Sequence, residues 1–327
     1  MINSDGQCEI LLRVEGLKKY FKTRSGLLHA VDDVSFTIER GKTLGVVGES
    51  GCGKTTLGRT ILRLEPHTDG KVFFKGDDIF KYSKRKTRHL CNDMQMIFQD
   101  PYSSLNPRKT VFQIIADPLI VNKIYKNKME QDQRVLELIE ISGLATRLMN
   151  AYPHELDGGR RQRVGLARAL AMNPDFIVCD EPVSALDVSI QAQILNLLMD
   201  LQDDLGLTYM FITHDLSVVK HISDDILVLY MGQAIEKAPS RKLFQKPLHP
   251  YTQMLLSAIP VPSLTGKTRE HEIIRGEVTN PINPKPGCRF ASRCKYKMAK
   301  CENGEIPFYE IESDHFVKCV LYEKGFC

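Results

Sequence analysis

No stretch of this chain approaches the roughly 18 consecutive apolar residues that a membrane-spanning helix needs. The opening MINSDGQCEI also lacks the basic-then-apolar plan of a secretory signal. Both absences lead to the expectation of a soluble cytosolic protein whose membrane contact, if it has one, runs through a partner. Neither sign of charge dominates, since 44 basic residues stand against 40 acidic ones for a formal net charge of +4. So small an excess does not by itself indicate nucleic acid, and none is expected as a partner. The basic stretch KYSKRKTRH at 81–89 reads as a solvated surface. Internal repeats are missing, and so are the close CxxC pairs that usually mark zinc sites.

What is present allows a large core, because 327 residues at 43% hydrophobic suffice for one large domain with an appendage, or for two domains. Cysteine is unevenly spread. Cys8, Cys52, Cys91 and Cys179 are scattered, whereas Cys288, Cys294, Cys301, Cys319 and Cys327 crowd the last forty residues. In a cytosolic chain such crowding argues for metal or cluster ligation over disulfides.

Periodicity and breakers give the organisation. VSFTI at 34–38, TLGVV at 43–47, KVFF at 71–74 and MQMIF at 94–98 read as strands, and the second runs into a glycine loop and an apolar-faced stretch at 55–64. Helical spacing fills 110–171, as in VLELIEISGL, before strand patterns return as FIVC at 176–179, LTYMFIT at 207–213 and DILVLYM at 225–231, with a helix at 191–205. Near-continuous apolar strands alternating with helices predict an α/β fold on a mostly parallel, two-sided sheet. After Pro260 a polar, proline-bearing linker, including PINPKPG at 281–287, leads to the cysteine tail.

Two motifs carry chemistry. In GESGCGKT at 48–55 the glycines let backbone N–H groups curl around an anion, and the following helix presents its positive end to phosphates. Lys54 would reach the terminal phosphates and Thr55 would hold magnesium. The loop does not choose between adenine and guanine. FIVCDE supplies the complementary groups: Asp180, at a strand end, can hold magnesium through water, and Glu181 can polarise an attacking water as general base.

With LDGGRRQRVGLARAL at 156–170 in this order, the chain resembles the ATP-binding subunit of an ABC transporter over nearly its whole length. The resemblance implies a P-loop NTPase of the ABC nucleotide-binding type over 1–260, with a helical subdomain inserted at about 105–172. It implies ATP bound by Gly48, Glu49, Ser50, Gly51, Cys52, Gly53, Lys54, Thr55 and Thr56, with Tyr20 in LKKYF stacking on adenine. Gln99 in MIFQDP falls where the family's Q-loop glutamine senses magnesium and the transmembrane partner. SALD at 184–187 resembles the D-loop, and His214 in FITHD resembles the switch histidine that stabilises the γ-phosphate.

The signature departs from the family's LSGGQ, reading Leu156, Asp157, Gly158, Gly159, Arg160. Asp157 would bring a negative charge toward the γ-phosphate of a neighbouring subunit, where two unit charges at ~4 Å repel by roughly 4 kcal/mol at an effective dielectric near 20. Alternatively it replaces Ser as a helix N-cap, while Gly158 and Gly159 still offer their N–H groups and Arg160 offsets the charge. In the family's head-to-tail dimer a weakened signature implies a heterodimer with a paralogous ATPase and one competent site.

HPYTQMLLSAIP at 249–260 and GCRFASRC at 287–294 resemble the C-terminal extension, here 261–327, of oligopeptide and dipeptide importer ATPases, closest to the second of their paired subunits. Related importers with this tail carry nickel or metal chelates. Cys288, Cys294, Cys301 and Cys319, separated by five, six and seventeen residues, could hold a 4Fe-4S cluster, as in some members, or a structural zinc. The resemblance further implies two transmembrane permease subunits, an extracytoplasmic substrate-binding protein, and a peripheral place on the cytoplasmic face of the membrane. A soluble ABC protein of translation or repair would commonly carry two nucleotide domains or a long coiled-coil insertion, which this chain lacks. A P-loop kinase or GTPase would not require LDGGRRQR or SALD.

Overall fold

The computed structural model describes residues 9–258 and 281–323. Cys8, Cys327 and the start of the linker after Pro260 lie outside them. The chain divides into two units, one made of the segments up to Phe80 and from Phe211 onward, the other spanning Lys81–Met210.

The first unit opens with a long hairpin, β1 (Ile10–Thr23) and β2 (Gly26–Glu39), whose two-residue connection closes on the pair Thr23↔Gly26. Then come β3 (Thr43–Val47), α1 (Lys54–Ile61), β4 (Asp69–Phe74) and β5 (Asp77–Asp78). β1, β2, β4 and β5 form an antiparallel sheet in the order β2-β1-β4-β5. Every residue of β3 is buried, as an apolar strand covered on both faces requires.

In the second unit α2 (Lys84–Asp93) leads into β6 (Met94–Ile97). α2 buries only Leu90, so the basic stretch is a surface. α3 (Pro101–Ser104), α4 (Val111–Val121), α5 (Lys128–Ile141) and α6 (Gly158–Leu170) follow. α4 is started by a capping box in which the Thr110 side chain accepts from Gln113 N–H and the Gln113 side chain accepts from Thr110 N–H. Its buried Val111, Ile114, Ile115 and Leu119 repeat at helical spacing, as do Val135, Leu138 and Ile139 of α5, and both helices pack on α6. β7 (Phe176–Asp180) pairs parallel with β6, Ile97 opposite Cys179, and α7 (Val188–Leu205) completes the unit.

β8 (Thr208–Ile212) carries the chain back to the first unit. There α8 (Leu216–Ile222) packs on β3, so closely that a Cβ on Gly45 would stand 2.4 Å from Val219. β9 (Asp225–Tyr230) pairs parallel with β3, and β10 (Gln233–Pro239) returns antiparallel to β9. Met231 and Gly232 join them with φ of 46° and 82°, positive at both positions as the two-residue turn matched to strand twist demands. α9 (Ser240–Gln245), α10 (Pro250–Ser257), β11 (Tyr309–Glu312) and β12 (His315–Val317) close the unit, with β12 antiparallel to β10.

The expectation of a mostly parallel sheet is therefore corrected. β3 with β9 and β6 with β7 are parallel, but β1, β2, β4 and β5, and the run from β9 to β11, pair antiparallel. For β1–β2, β4–β5, β9–β10 and β11–β12 the reason is a two-residue connection, which joins only antiparallel neighbours. Part of the supposed linker is also fixed structure. Asn283 exchanges bonds with Leu27, its N–H reaching Leu27 O at 2.8 Å and its Oδ1 accepting Leu27 N–H at 2.9 Å, and Ile282 bridges to Leu28.

Candidate nucleotide site and cysteine pocket

The glycine loop leaves the end of β3 through backbone angles that only glycine adopts easily. Gly48 has φ 154° and Gly53 φ 105°, and a Cβ at either would lie 2.2 Å from the Leu229 carbonyl or 2.0 Å from the Ala30 carbonyl. The loop is thus wedged between β2 and β9 by backbone contact. Lys54, first residue of α1, is 5% exposed. Its ammonium donates to Gly48 O at 2.7 Å and Glu49 O at 2.9 Å, which centres the charge within the loop. Thr55 and Thr56 follow in the first turn, which holds no acidic residue to compete for an anion. Ser50 and Gly51 are exposed, and Cys52 is buried, which raises its thiol pKa.

Two contacts fix Glu49. Its N–H donates to Tyr251 Oη at 2.8 Å, and its carboxylate is held at 2.9 Å through both oxygens by the Arg293 guanidinium. Those bonds hold Arg293 firmly protonated. Tyr20 stacks on His29 across the β1–β2 pair, ring centroids 3.9 Å apart, and its hydroxyl donates to Asp32. Burial and that bond raise the Tyr20 pKa. Asp32, despite burial that opposes its charge, is held below the usual carboxylate range by Tyr20 and by Arg289, with which it pairs. His214 is exposed just beyond β8, where Thr213 N–H reaches Val46 O at 3.2 Å. It therefore leaves the sheet beside the end of β3, the edge at which ligands bind in open α/β sheets.

In the second unit, parallel pairing of β6 and β7 brings the residues just past their ends together. Gln99 Nε2 donates to Glu181 Oε2 at 2.9 Å. Asp180 is 1% exposed at the strand end, and Glu181 has φ 47°, a left-handed conformation uncommon outside glycine. Ser184 of the SALD segment donates its hydroxyl to Glu181 O at 3.2 Å. Asp157 caps α6, its carboxylate accepting Arg160 N–H at 2.7 Å, with Arg160 Nε 3.4 Å away. Gly158 and Gly159 form the first turn, where a Cβ on Gly159 would meet Ile190 of α7 at 2.6 Å.

Cys288, Cys294, Cys301 and Cys319 line a single pocket in the first unit, together with His249 and Phe290, and all four are free thiols. Tight turns link Cys288 to Cys294, through Ala291 N–H to Cys288 O at 3.0 Å and Cys294 N–H to Ala291 O at 3.4 Å, and Cys288 N–H to Cys301 O at 2.7 Å ties in the third. Backbone N–H groups of Phe290 and Ala291 point at the Cys288 sulfur, that of Tyr296 at Cys294 and that of Leu321 at Cys319. Burial pushes Cys288 up to about 11 and Cys319 up to about 12, and holds His249 down to about 4. Among the described residues no three His, Cys, Asp or Glu side chains are grouped to hold one metal ion.

Sequence reasoning missed Asp32, Tyr251, Arg289 and Arg293. The two arginines lie inside GCRFASRC, each beside a cysteine, and that adjacency was the available signal.

The family model for ABC transporters matches residues 31–184, and that for the oligopeptide/dipeptide transporter C-terminal region matches 235–301. Among solved structures, the dimeric ATP-binding cassette MJ0796, in a post-hydrolysis state bound to ADP and Pi, is similar over 71% of this chain and 99% of its own, at 29% identity and a TM-score of 0.65. cbiO1 from Clostridium perfringens is similar over 73% and 92%, at 27% identity and a TM-score of 0.66. The fold and the glycine loop thus define an ATP-hydrolysing cassette. Oligopeptide transport ATP-binding proteins AppF and OppF of Bacillus subtilis are 48% and 50% identical over 96% of this chain and 98% of theirs. The chain belongs to the ATP-binding subunits of ABC transporters, in the oligopeptide/dipeptide family. Among the described residues no helix is long and apolar enough to cross a membrane.

Proposed function

We propose that this chain powers the uptake of di- and oligopeptides from the cytoplasmic face of the membrane. Near-full-length similarity to oligopeptide transport ATPases carries this reading. Its partners are two permease subunits, a substrate-binding protein outside the membrane, and a paralogous ATPase, this chain taking the second position of the pair. The domain division is 1–260 for the cassette, with its helical part at about 105–172, and 261–327 for the extension.

ATP binds with its phosphates on the N–H groups of Gly48 to Thr56 and on Lys54, and its base against Tyr20. Thr55, Gln99 and Asp180 would hold magnesium, which supplies charge neutralisation at the phosphates. The buried Asp180 carboxylate and the Gln99 amide beside Glu181 suit that donor set. Glu181 takes the proton of the attacking water and His214 stabilises the γ-phosphate. Gln99, tied to Glu181, links the hydrolytic residue to the permease. The partner's intact signature completes this site, while Asp157, Gly158 and Gly159 serve the partner's nucleotide, which Asp157 weakens.

The tail cysteines suit a 4Fe-4S cluster better than zinc. Four thiolates on one zinc at about 2.3 Å would converge to about 3.8 Å from each other, and among the described residues no such grouping is found. A cluster binds each cysteine through a different iron, so its thiolates stay apart, and its sulfurs take N–H bonds of the kind seen at Cys288, Cys294 and Cys319. Bound there, a cluster would pin a segment with little apolar content.

The test is affinity purification of the chain from native membranes in mild detergent, followed by mass spectrometry. Two permeases and a second ATPase with an LSGGQ-like signature are expected. Ribosomal or DNA-repair proteins without membrane proteins would overturn the reading.

A further inference from the structure

We propose that Arg293 and Arg289 are positioning residues for ATP, through which the cysteine tail holds the nucleotide site in its binding shape. The inference rests on the nucleotide reading of the glycine loop and deepens it.

Each arginine lies one residue from a pocket cysteine and bonds to residues of the nucleotide site. Arg293, next to Cys294, grips both carboxylate oxygens of Glu49 at 2.9 Å from a side chain only 3% exposed. Its guanidinium also lies 5.8 Å from the ring centres of Tyr230 and Phe290. A planar fork clamped by aromatic rings and bound bidentately has little freedom to move. Glu49 is the second residue of the phosphate loop, and Tyr251, from the HPY segment that lies against the same aromatic cluster, accepts its N–H at 2.8 Å. The loop is therefore held at Glu49 by side chain and backbone at once, both from the C-terminal part of the chain.

Arg289, next to Cys288, acts at the other end of the site. It donates to Met231 O in the β9–β10 turn and to Asp32. Asp32 accepts the Tyr20 hydroxyl and also lies 3.2 Å from His29 Nδ1. The base-stacking ring and the ring behind it are both tied to this one carboxylate. The charge of Glu49 also needs an explanation on electrostatic grounds. An acidic residue within a phosphate-binding loop opposes its anionic ligand, and Arg293 both neutralises that charge and uses it as an anchor. Loss of Arg293 leaves an uncompensated carboxylate beside the phosphates in a loop that has lost one restraint. The cost should fall on nucleotide binding, because the groups the two arginines hold are Glu49 of the phosphate loop and the Asp32 carboxylate behind Tyr20.

The test uses the full-length chain for fluorescent ATP-analogue titrations and the assembled transporter for steady-state hydrolysis. Arg293→Met is expected to raise Kd and KM at least tenfold with kcat within twofold. Arg293→Lys, which keeps the charge without the fork, should recover part of that loss, and Arg289→Met should raise Kd severalfold. A folded Arg293→Met chain with Kd and KM within twofold of the parent would overturn the proposal, as would an equal fall in kcat and kcat/KM at unchanged Kd. If Arg293→Met does not fold, Arg293→Lys stands in for it, and an unchanged Kd there overturns the proposal equally. Failure of the parent chain itself to bind the analogue would instead remove the nucleotide reading, and this inference with it.

Discussion

Replacing Asp157 by Ser and, separately, by Ala separates the two roles open to this carboxylate. It caps α6 through Arg160 N–H at 2.7 Å and lies 3.4 Å from the Arg160 guanidinium. Ser caps helices as well as Asp does, so Asp157→Ser should leave stability within about 0.5 kcal/mol, whereas Ala removes the cap and costs about 1 kcal/mol. Their effects on hydrolysis should run together instead. Facing a neighbouring subunit's γ-phosphate at ~4 Å, the carboxylate would oppose it by roughly 4 kcal/mol at a dielectric near 20. The Asp157 side chain is 62% exposed and paired with Arg160, which reduces the residual opposition to about 1–2 kcal/mol, or about 5- to 30-fold in rate. The assay is ATP turnover by the assembled transporter in a Glu181→Gln background, which silences the site built on this chain's own phosphate loop. Both Asp157 variants should then accelerate turnover by that factor, despite their different stabilities. Turnover of Asp157→Ser within twofold of the parent would show that the carboxylate only caps the helix, and that the proposed asymmetry has no source here.

Three further outcomes are expected. Gly53→Ala should abolish nucleotide binding in the analogue titration, because its Cβ would lie 2.0 Å from the Ala30 carbonyl. Gly51→Ala, with nothing within 4 Å, should cost only about 1–2 kcal/mol of backbone strain, and equal binding by the two variants would contradict the wedged loop. Glu236, fully buried, accepts Leu248 N–H, His249 N–H and His315 Nε2, each at 2.8 Å, so Glu236→Leu should destabilise by about 3–5 kcal/mol in denaturant unfolding, while a loss under about 1 kcal/mol would mean those donors find other partners. Anaerobically purified chain should be brown with iron and acid-labile sulfide, and Cys288→Ala should lose both and weaken nucleotide binding through Arg289 and Arg293; colourless, iron-free parent chain would end the cluster reading.

Legibility in the sequence followed how local the determining physics was. The glycine loop could be read because backbone angles at Gly48 and Gly53 admit almost no other residue. β3, β6, β7 and β9 were visible as apolar runs because strands buried on both faces have no polar alternation to hide them. The antiparallel part of the fold was less visible. β11 and β12 are short, and β10, though longer, is announced only by a Met-Gly turn easily passed over between two strands. The pairing of Gln99 with Glu181 could be expected only as a family property, since it depends on the relative register of β6 and β7. The arginine anchors were legible only as two arginines set beside cysteines, with no sign of what they bind. Glu49 and Arg293 are 244 residues apart, and nothing local to either reveals that the aromatic cluster around Tyr230, Tyr251 and Phe290 will bring them together.

That separation also sets an order of events during synthesis. The phosphate loop leaves the ribosome before its carboxylate anchor, which follows only after a further 244 residues, about 12–50 s later at about 5–20 residues per second. Until then the Glu49 charge is unopposed and the base-stacking Tyr20 lacks the Arg289 tie behind Asp32. A nascent or prematurely terminated chain therefore carries the complete glycine motif in a form poorly suited to ATP. Placing this restraint 244 residues downstream makes synthesis through Arg293 a condition for tight nucleotide binding, so products that stop before it would compete weakly for ATP.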